Sequence, residues 1–321
     1  MSEPSSNSNT MHAIVATTLG GPEVLRPAEV PCPEPGLTEI LVRVHAAGVN
    51  PADFMARGQG GFGPWGDPRI LGFDVSGTVE AVGPGVSLVR PGDEVFGMPR
   101  FPAQAGGYAE FVTGPTRHFA RKPDALTHIE AAALPLAGLT AWQCLRETAR
   151  LRAGERVLVH GASGGVGHLA VQIAKARGAY VIGTASAAKH DLVRSLGADE
   201  LIDYRATDFT EAVADVDVVF DTVGRDYAPR SLKVLREGGR IVTLAPGQDP
   251  AVVADARARG FGYDWNAVEP DHAGLLALAA LAADGELRPV VDTVLPLDEA
   301  AKAHTYGESG AATGKIVLTV R

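Results

Sequence analysis

Cysteine is scarce in this sequence: Cys32 and Cys144 are the only two in 321 residues. Two thiols cannot build a disulfide framework, and the simpler reading is a pair of unpaired thiols in a reducing compartment. No apolar run is long enough to cross a bilayer. The longest, Ala273 to Ala283, is closed by Asp271, His272 and Asp284. A span needs about 20 residues, so this run reads as a buried helix. An excess of positive charge is also missing. The net charge of −9 argues against a nucleic-acid backbone or an anionic membrane surface as the main partner. The nine histidines, His118 and His128 among them, are scattered without metal-ligand spacing, so no metal site is expected. Residues 1–10 are rich in Ser and Asn and lack the apolar core of a signal peptide. They read as a disordered tail with Met11 as a natural start, and the chain is expected to be soluble and cytoplasmic.

What is present points to two domains. Hydrophobic residues are 45% of the chain, enough for well-buried cores, and the length exceeds what one core usually serves. Residues 11 to about 124 are β-rich. Ile40–Val44 and Val75–Val82 are strands, the second stopped by Gly83-Pro84-Gly85, and Pro91-Gly92-Asp93 turns the chain into Glu94–Phe96. From Ile129 to Arg150 the pattern is helical and rich in Ala and Leu. Strands and helices then alternate: Val157–Val159, a helix ending near Gly178, Tyr180–Gly183, a helix from Lys189 stopped by Gly197, and strands at Leu201–Ile202, Val216–Phe220 and Arg240–Leu244. Such alternation implies a parallel, doubly wound sheet. After Gly285 the chain turns β-rich again, with strands at Val290–Val294 and Lys315–Val320. The expected organisation is therefore a β-rich domain from 11–124 and 286–321 that receives an α/β domain, 125–285, as an insertion.

The segment Gly161-Ala162-Ser163-Gly164-Gly165-Val166-Gly167 carries the chemistry. It follows a short apolar strand and opens a helix whose Val166, Leu169, Ala170, Ile173 and Ala174 form one apolar stripe. A glycine-rich turn in that context binds a dinucleotide pyrophosphate on the helix N-terminus. Gly164 lets the backbone approach the phosphates and Gly167 lets helix and strand pack closely. An NAD site would place Asp or Glu roughly 20 residues further on. Here Gly183 to His190 has no acid before Asp191, and offers Ser186 and Lys189 instead. That favours a 2′-phosphate, hence NADPH.

With these features the chain resembles the zinc-independent quinone oxidoreductase, or zeta-crystallin-like, branch of the medium-chain dehydrogenase/reductase superfamily. The resemblance runs from Met11 to Arg321. It rests on Gly48-Val49-Asn50-Pro51-Ala52-Asp53, Leu71–Gly77, Gly106–Phe111, Leu134–Trp142, the glycine loop, Leu196–Asp199, Asp217–Gly224 and Gly314-Lys315-Ile316-Val317. It implies a Rossmann doubly wound parallel sheet inserted into a GroES-like β-rich catalytic domain, with NADPH in the cleft and a homodimer. It further implies that Asn50 and Thr140 lie near the nicotinamide, that Ser186, Lys189 and Tyr204 lie near the 2′-phosphate, and that Thr222, Val223, Leu244 and Ala245 line the cofactor. The zinc branch of that superfamily has a cysteine where this chain has Asn50-Pro51-Ala52 and a His-Glu pair where it has Phe73-Asp74. The departure leaves no zinc ligands.

Without zinc, a carbonyl is polarised by hydrogen bonds alone, so quinones and other α,β-unsaturated carbonyls become the expected acceptors of hydride. Asn50 is the first candidate donor in the site, against a reading as the turn residue before Pro51. Tyr108 is a weaker one, against ring packing beneath Gly106-Gly107. Asp53 reads as a backbone tie. Phe62 and Trp65 are candidates for an apolar wall facing a flat substrate. Two alternatives stay open. One is an enoyl-thioester reductase, although Gln59 to Gly63 lacks the tyrosine some such relatives carry. The other is an NADPH-binding structural or interaction protein with little turnover.

Overall fold

A computed structural model describes residues 10–61 and 65–320. The chain divides into two compact units. The first holds Met1–Leu136, Pro270–Leu276 and Val291–Arg321; the second holds Ala137–Glu269 and Ala277–Val290. The first unit is a β-rich domain and the second a parallel sheet flanked by helices, so the fold class is the expected one.

The strands of the first unit are β1 (Thr10–Ala16), β2 (Leu25–Pro31), β3 (Glu39–Val49), β4 (Arg69–Ile70), β5 (Asp74–Val82), β6 (Glu94–Gly97), β7 (Phe111–Pro115) and β8 (Phe119–Arg121). Those of the second unit are β9 (Arg156–His160), β10 (Tyr180–Ala185), β11 (Glu200–Asp203), β12 (Val216–Asp221), β13 (Leu235–Thr243) and β14 (Gly262–Trp265). The chain then adds β15 (Val291–Pro296) and β16 (Lys315–Thr319) to the first unit. There β16 pairs antiparallel with β3, Ile316 opposite Val49. The resulting sheet runs β15-β16-β3-β5-β6-β8, with β7 also on β3, beside a three-stranded sheet β2-β1-β4.

In the second unit the order is β11-β10-β9-β12-β13-β14, and every pairing is parallel. Helices flanking a parallel sheet bury both its faces, so its central strands read as unbroken apolar runs. Val157, Leu158 and Val159 are accordingly fully buried. Leu158, Ile182, Ile202, Phe209, Val219 and Ile241 share one core.

Several local expectations are corrected. Thr10, assigned to the tail, opens β1 opposite Pro31; residues 1–9 lie outside the described residues. The stretch from Ile129 to Arg150 is not one helix. It breaks into two short helices, His128–Ala132 and Pro135–Trp142, and a π-helical turn, Gln143–Thr148, because Pro135 lacks the N–H that would continue the first piece. His128–Ala132 also falls in the first unit, where Ala132 and Ala133 pack with Ala46 and Val317. The apolar helix His272–Ala283 is buried on one face only: Leu275 and Leu278 are covered while Leu276 is 48% exposed. Among the described residues no helix is long and apolar enough to cross a membrane.

His160, the last residue of β9, shows how tightly the second core is closed. Its ring is fully buried between Thr184 Oγ1 at 3.3 Å and Ser231 Oγ at 3.0 Å, with edge contacts to Phe209 and Tyr227. Burial, with Arg230 adding to it, pushes its pKa from 6.5 down to about 3. The unfolded chain therefore takes up a proton that the folded chain refuses between those values, so stability falls as pH drops from 6.5 toward 3. His160→Gln keeps a hydrogen-bonding group and removes the titration. Chemical unfolding followed from pH 7 to 4 should lose stability less steeply in this variant, by up to ~1.4 kcal/mol per pH unit. Parallel slopes would contradict the assignment.

Candidate functional site

Two groups of candidate residues emerge, one in each unit. In the second unit, six residues are each the first beyond a parallel strand: Gly161, Tyr204, Ser186, Thr222, Leu244 and Asn266. They share the carboxyl edge of the sheet, where ligands of this architecture bind. The glycine loop sits at the end of β9 and opens the helix Gly167–Ala176. A Cβ on Gly167 would stand 2.1 Å from Gly161 O and 2.9 Å from Ala162 Cα, so only glycine lets the helix start this close to the strand. At Gly164 the nearest atom to such a Cβ is Gly161 O at 3.2 Å, and nothing else lies within 4 Å. Gly167 thus serves packing, and Gly164 keeps the loop's outer side clear. The first helical turn carries no acidic residue, and Val166 at its head has no side chain able to cap the N–H groups. An anion is the natural partner for those donors. The loop therefore fits a dinucleotide pyrophosphate.

Beside it, Ala185 pairs with Asp203, which brings Ser186 level with Tyr204. Ser186 is buried, Tyr204 is half exposed, and Lys189 ends the short turn that Ser186 begins. The first acid after β10, Asp191, is exposed and paired with Arg194 at 3.1 Å. On the other side of the loop, buried Asp221 accepts from the N–H groups of Val223 and Gly224, both at 2.9 Å, and from Thr243 Oγ1 at 3.2 Å. Thr243 Oγ1 in turn accepts from Ala245 N at 3.2 Å. One carboxylate thereby shapes both turns that present Thr222, Val223, Leu244 and Ala245. Thr222 is anchored to the loop's base, donating to His160 O at 2.6 Å. Thr140, on the helix Pro135–Trp142, is not delivered by any of these strands.

The first unit's group centres on a buried ion pair. Lys315, in β16, is 3% exposed, and Asp74, at the head of β5, is fully buried. Lys315 Nζ donates to Asp74 Oδ2 at 3.4 Å, to Val49 O at 3.1 Å and to Asn50 Oδ1. Asn50 Nδ2 donates to Asp74 Oδ2 at 2.9 Å, and Leu136 N donates to Asp74 Oδ1 at 2.7 Å. Since an ammonium only donates and a carboxylate accepts, the two partners fix which end of the Asn50 amide is which. One Nδ2 proton is not used by either. Burial raises the Asp74 pKa, and Lys315 opposes that shift. Gly48 makes room for the pair, since a Cβ there would lie 2.4 Å from Ala132 O and 2.9 Å from Asp74 Cβ.

Asp53 ties the backbone, accepting from Asn50 N and Gly72 N at 2.9 Å each; burial pushes its pKa up to about 7. Tyr108 is fully buried, and its hydroxyl lies 3.0 Å from His304 Nε2. Arg57 donates to His304 Nδ1 at 2.9 Å, so the imidazole proton sits on Nε2 and points at the phenol oxygen. As a donor to substrate Tyr108 is corrected, because the hydroxyl is sealed inside the unit. Trp65 packs edge-on to Phe73 at 6.0 Å, and Phe73 to Phe101 at 5.0 Å. Phe62, its proposed companion in an apolar wall, lies outside the described residues.

Lys315, Asp221 and Asn266 were not among the sequence candidates. Lys315 did carry a signal, a lone cation at the head of the apolar run Ile316-Val317-Leu318, but its partner lies 241 positions away.

Comparison with known proteins fits this arrangement. Residues 36–124 match the alcohol dehydrogenase GroES-like domain, and residues 196–318 match the zinc-binding dehydrogenase family. The chain is 36% identical to mouse quinone oxidoreductase over 96% of its own length and 97% of the relative's. It is 36% identical to tomato 2-methylene-furan-3-one reductase, covering 96% of this chain and 79% of that one. A pikromycin polyketide synthase component from Streptomyces venezuelae is 35% identical over 91% of this chain, which spans only 8% of that protein. The solved quinone oxidoreductase of Coxiella burnetii superposes with a TM-score of 0.90 at 36% identity, covering 97% of this chain and all (100%) of the other. That of Escherichia coli, complexed with NADPH, gives 0.86 at 31%, covering 96% and 100%. The chain belongs to the zinc-independent quinone oxidoreductase, zeta-crystallin-like branch of the medium-chain dehydrogenase/reductase superfamily. It is an oxidoreductase that binds a pyridine nucleotide.

One matched family is described as zinc-binding. Zinc wants thiolate, imidazole or clustered carboxylate ligands. Around Asn50 the candidate ligands are one amide and two carboxylates; Asp74 already faces an ammonium, and Asp53 is taken up by the N–H groups of Asn50 and Gly72. Among the described residues no group of three His, Cys, Asp or Glu is placed to hold a metal. These residues do not fit zinc.

Two outcomes follow. Lys315→Met strands a buried carboxylate and should lower unfolding stability by about 3–5 kcal/mol. Replacing both partners, Lys315→Met with Asp74→Leu, should recover much of that loss in the same denaturation experiment. Gly167→Ala should disrupt the second unit, seen as a lower Tm, whereas Gly164→Ala should leave the Tm nearly unchanged and weaken nucleotide binding in a titration.

Proposed function

We propose that this oxidoreductase uses NADPH to reduce quinones or other α,β-unsaturated carbonyls. The observation that carries the choice of nucleotide is the end of β10. Ser186 stands level with Tyr204, Lys189 ends the turn that follows Ser186, and the first carboxylate, Asp191, is exposed and paired with Arg194. A 2′-phosphate finds a hydroxyl and a cation there, while no acid is set to grip a 2′-hydroxyl. The NADPH complex of the Escherichia coli relative supports the same reading.

When bound, NADPH supplies a hydride from nicotinamide C4. The protein's part is to bind, orient and exclude water. In this reading the loop Ala162 to Gly167 holds the pyrophosphate, Thr222, Val223, Leu244 and Ala245 line the nicotinamide half, and Thr140 lies near the ring. Asn50 is 1% exposed, as sealed as Tyr108, so in this reading it holds the turn before Pro51 and leaves the oxygen of the acceptor to solvent. A conjugated acceptor spreads the arriving charge onto that oxygen, so water suffices as the final proton source and the sealed Tyr108 is not needed. Trp65 contributes to the apolar wall.

NADPH oxidation should be fast with 1,4-benzoquinone or 9,10-phenanthrenequinone. Faster consumption of a 2-enoyl-CoA would move the assignment to thioesters, a class kept in view by the polyketide synthase match. Inert quinones with tight NADPH binding would favour a binding role. Lys189→Ala should raise the KM for NADPH roughly ten-fold or more, as loss of a charged phosphate contact does, and leave NADH little changed. Equal losses for the two nucleotides would sink the 2′-phosphate assignment.

A further inference from the structure

His168 follows Gly167 in the helix that the glycine loop opens, and it is fully buried. Each of its ring nitrogens makes a hydrogen bond. Val290 N donates to Nε2 at 3.0 Å, and Nδ1 lies 2.9 Å from Gly164 O. The first bond decides the second. A ring nitrogen that accepts an N–H carries no proton of its own, so the imidazole proton is on Nδ1 and is donated to Gly164 O. The reverse tautomer would set two protons against each other at Val290 and two lone pairs against each other at Gly164.

Val290 is itself fixed in place. It is the residue before β15 and belongs to the second unit, as His168 does. Gln172, four positions after His168 and so on the same face of the helix, holds the backbone of Arg288. Arg288 N donates to Gln172 Oε1 at 2.9 Å, and Gln172 Nε2 donates to Arg288 O at 3.0 Å. Pro289 has no N–H. Every backbone N–H from 288 to 290 therefore goes to Gln172 or His168.

What the ring proton sets is the direction of a peptide plane. The Gly164–Gly165 peptide is trans, so its C=O and its N–H point opposite ways. Gly164 O receives both the backbone N–H of His168, at 3.1 Å, and the ring proton. With that carbonyl turned toward the start of the helix, Gly165 N–H is turned away from it, as the free N–H groups of a helix N-terminus are. A flipped peptide would bring a carbonyl oxygen, with its partial negative charge, to the phosphates instead. We propose that His168 is a positioning residue for the nucleotide: its Nδ1–H holds the Gly164–Gly165 peptide so that Gly165 N–H faces the pyrophosphate, and Val290 N–H keeps the ring in the tautomer that does so. This rests on the reading of the glycine loop as the pyrophosphate site.

Two variants of similar size separate the two bonds. In His168→Asn and His168→Leu alike the side chain is too short to accept from Val290 N, but only the asparagine amide can donate from the place of Nδ1. NADPH is titrated by calorimetry into the full chain of the wild type and of both variants, with the Tm of each recorded as the check on folding. His168→Asn should bind NADPH within about two-fold of the wild type, and His168→Leu about ten-fold more weakly. If His168→Leu does not fold, His168→Gln takes its place: that side chain can reach Val290 N but offers no donor to Gly164 O, and the same loss is expected. Nitrogen NMR of isotope-labelled histidine should show the wild-type His168 signals, assigned by their absence from His168→Asn, with a proton on Nδ1 and none on Nε2. A role confined to holding residues 288–290 predicts equal weakening in His168→Asn and His168→Leu. Equal weakening, no weakening, or the other tautomer overturns the proposal and leaves the reading of the loop standing. Failure of the wild type to bind either NADPH or NADH removes the reading and the proposal together.

Discussion

The first unit depends on one buried ammonium. Lys315 reaches from the last strand of the chain to Asp74, Asn50 and Val49 O, and so spends its three protons on β3, its exit turn and β5. Burying two charges costs several kcal/mol per ion unless geometry and further hydrogen bonds compensate. Here they do: Asp74 also receives Asn50 Nδ2 and Leu136 N. A pair of hydrophobic residues would fill the same space more cheaply. What the ionic pair adds is orientation, because only a donor and an acceptor on opposite sides can fix which end of the Asn50 amide faces which way.

The second unit solves a different problem, how to hold several loops at one level around an extended ligand. Parallel strands in register bring their carboxyl ends to one edge, and the turns beyond them are then set by short polar links. Asp221 ties two turns at once, Thr222 is bound to the base of the glycine loop, and the missing side chain of Gly167 lets the helix begin close behind it. None of these links is large in energy. Their effect is to place N–H groups in advance, so that little ordering remains to be done on binding.

Much of this was legible in the sequence. The apolar run Val157–Val159, the glycine loop and the stripe on the following helix gave the parallel unit, since hydrophobic period reports which faces are buried. The absence of an acid before Asp191 was legible too, and it carries the proposed preference for NADPH. Local breaks were less legible. Nothing in the Ala- and Leu-rich stretch after Ile129 separates one long helix from two short ones and a π-helical turn, except Pro135, whose effect depends on what the flanking pieces pack against. The run Ala273 to Ala283 was apolar all round, yet one of its faces is left uncovered.

By itself, the sequence determined the glycine-rich turn between strand and helix and most of the succession of strands and helices, because each is written in neighbouring residues. Only the tertiary structure decided what Tyr108, Lys315 and Asn266 do. Tyr108 turns inward to His304, Lys315 finds a carboxylate 241 positions away, and Asn266 leaves an oxygen without a donor among the described residues. Each outcome depends on which distant groups share a side chain's surroundings, and that is set by the packing of strands and turns rather than by spacing along the chain.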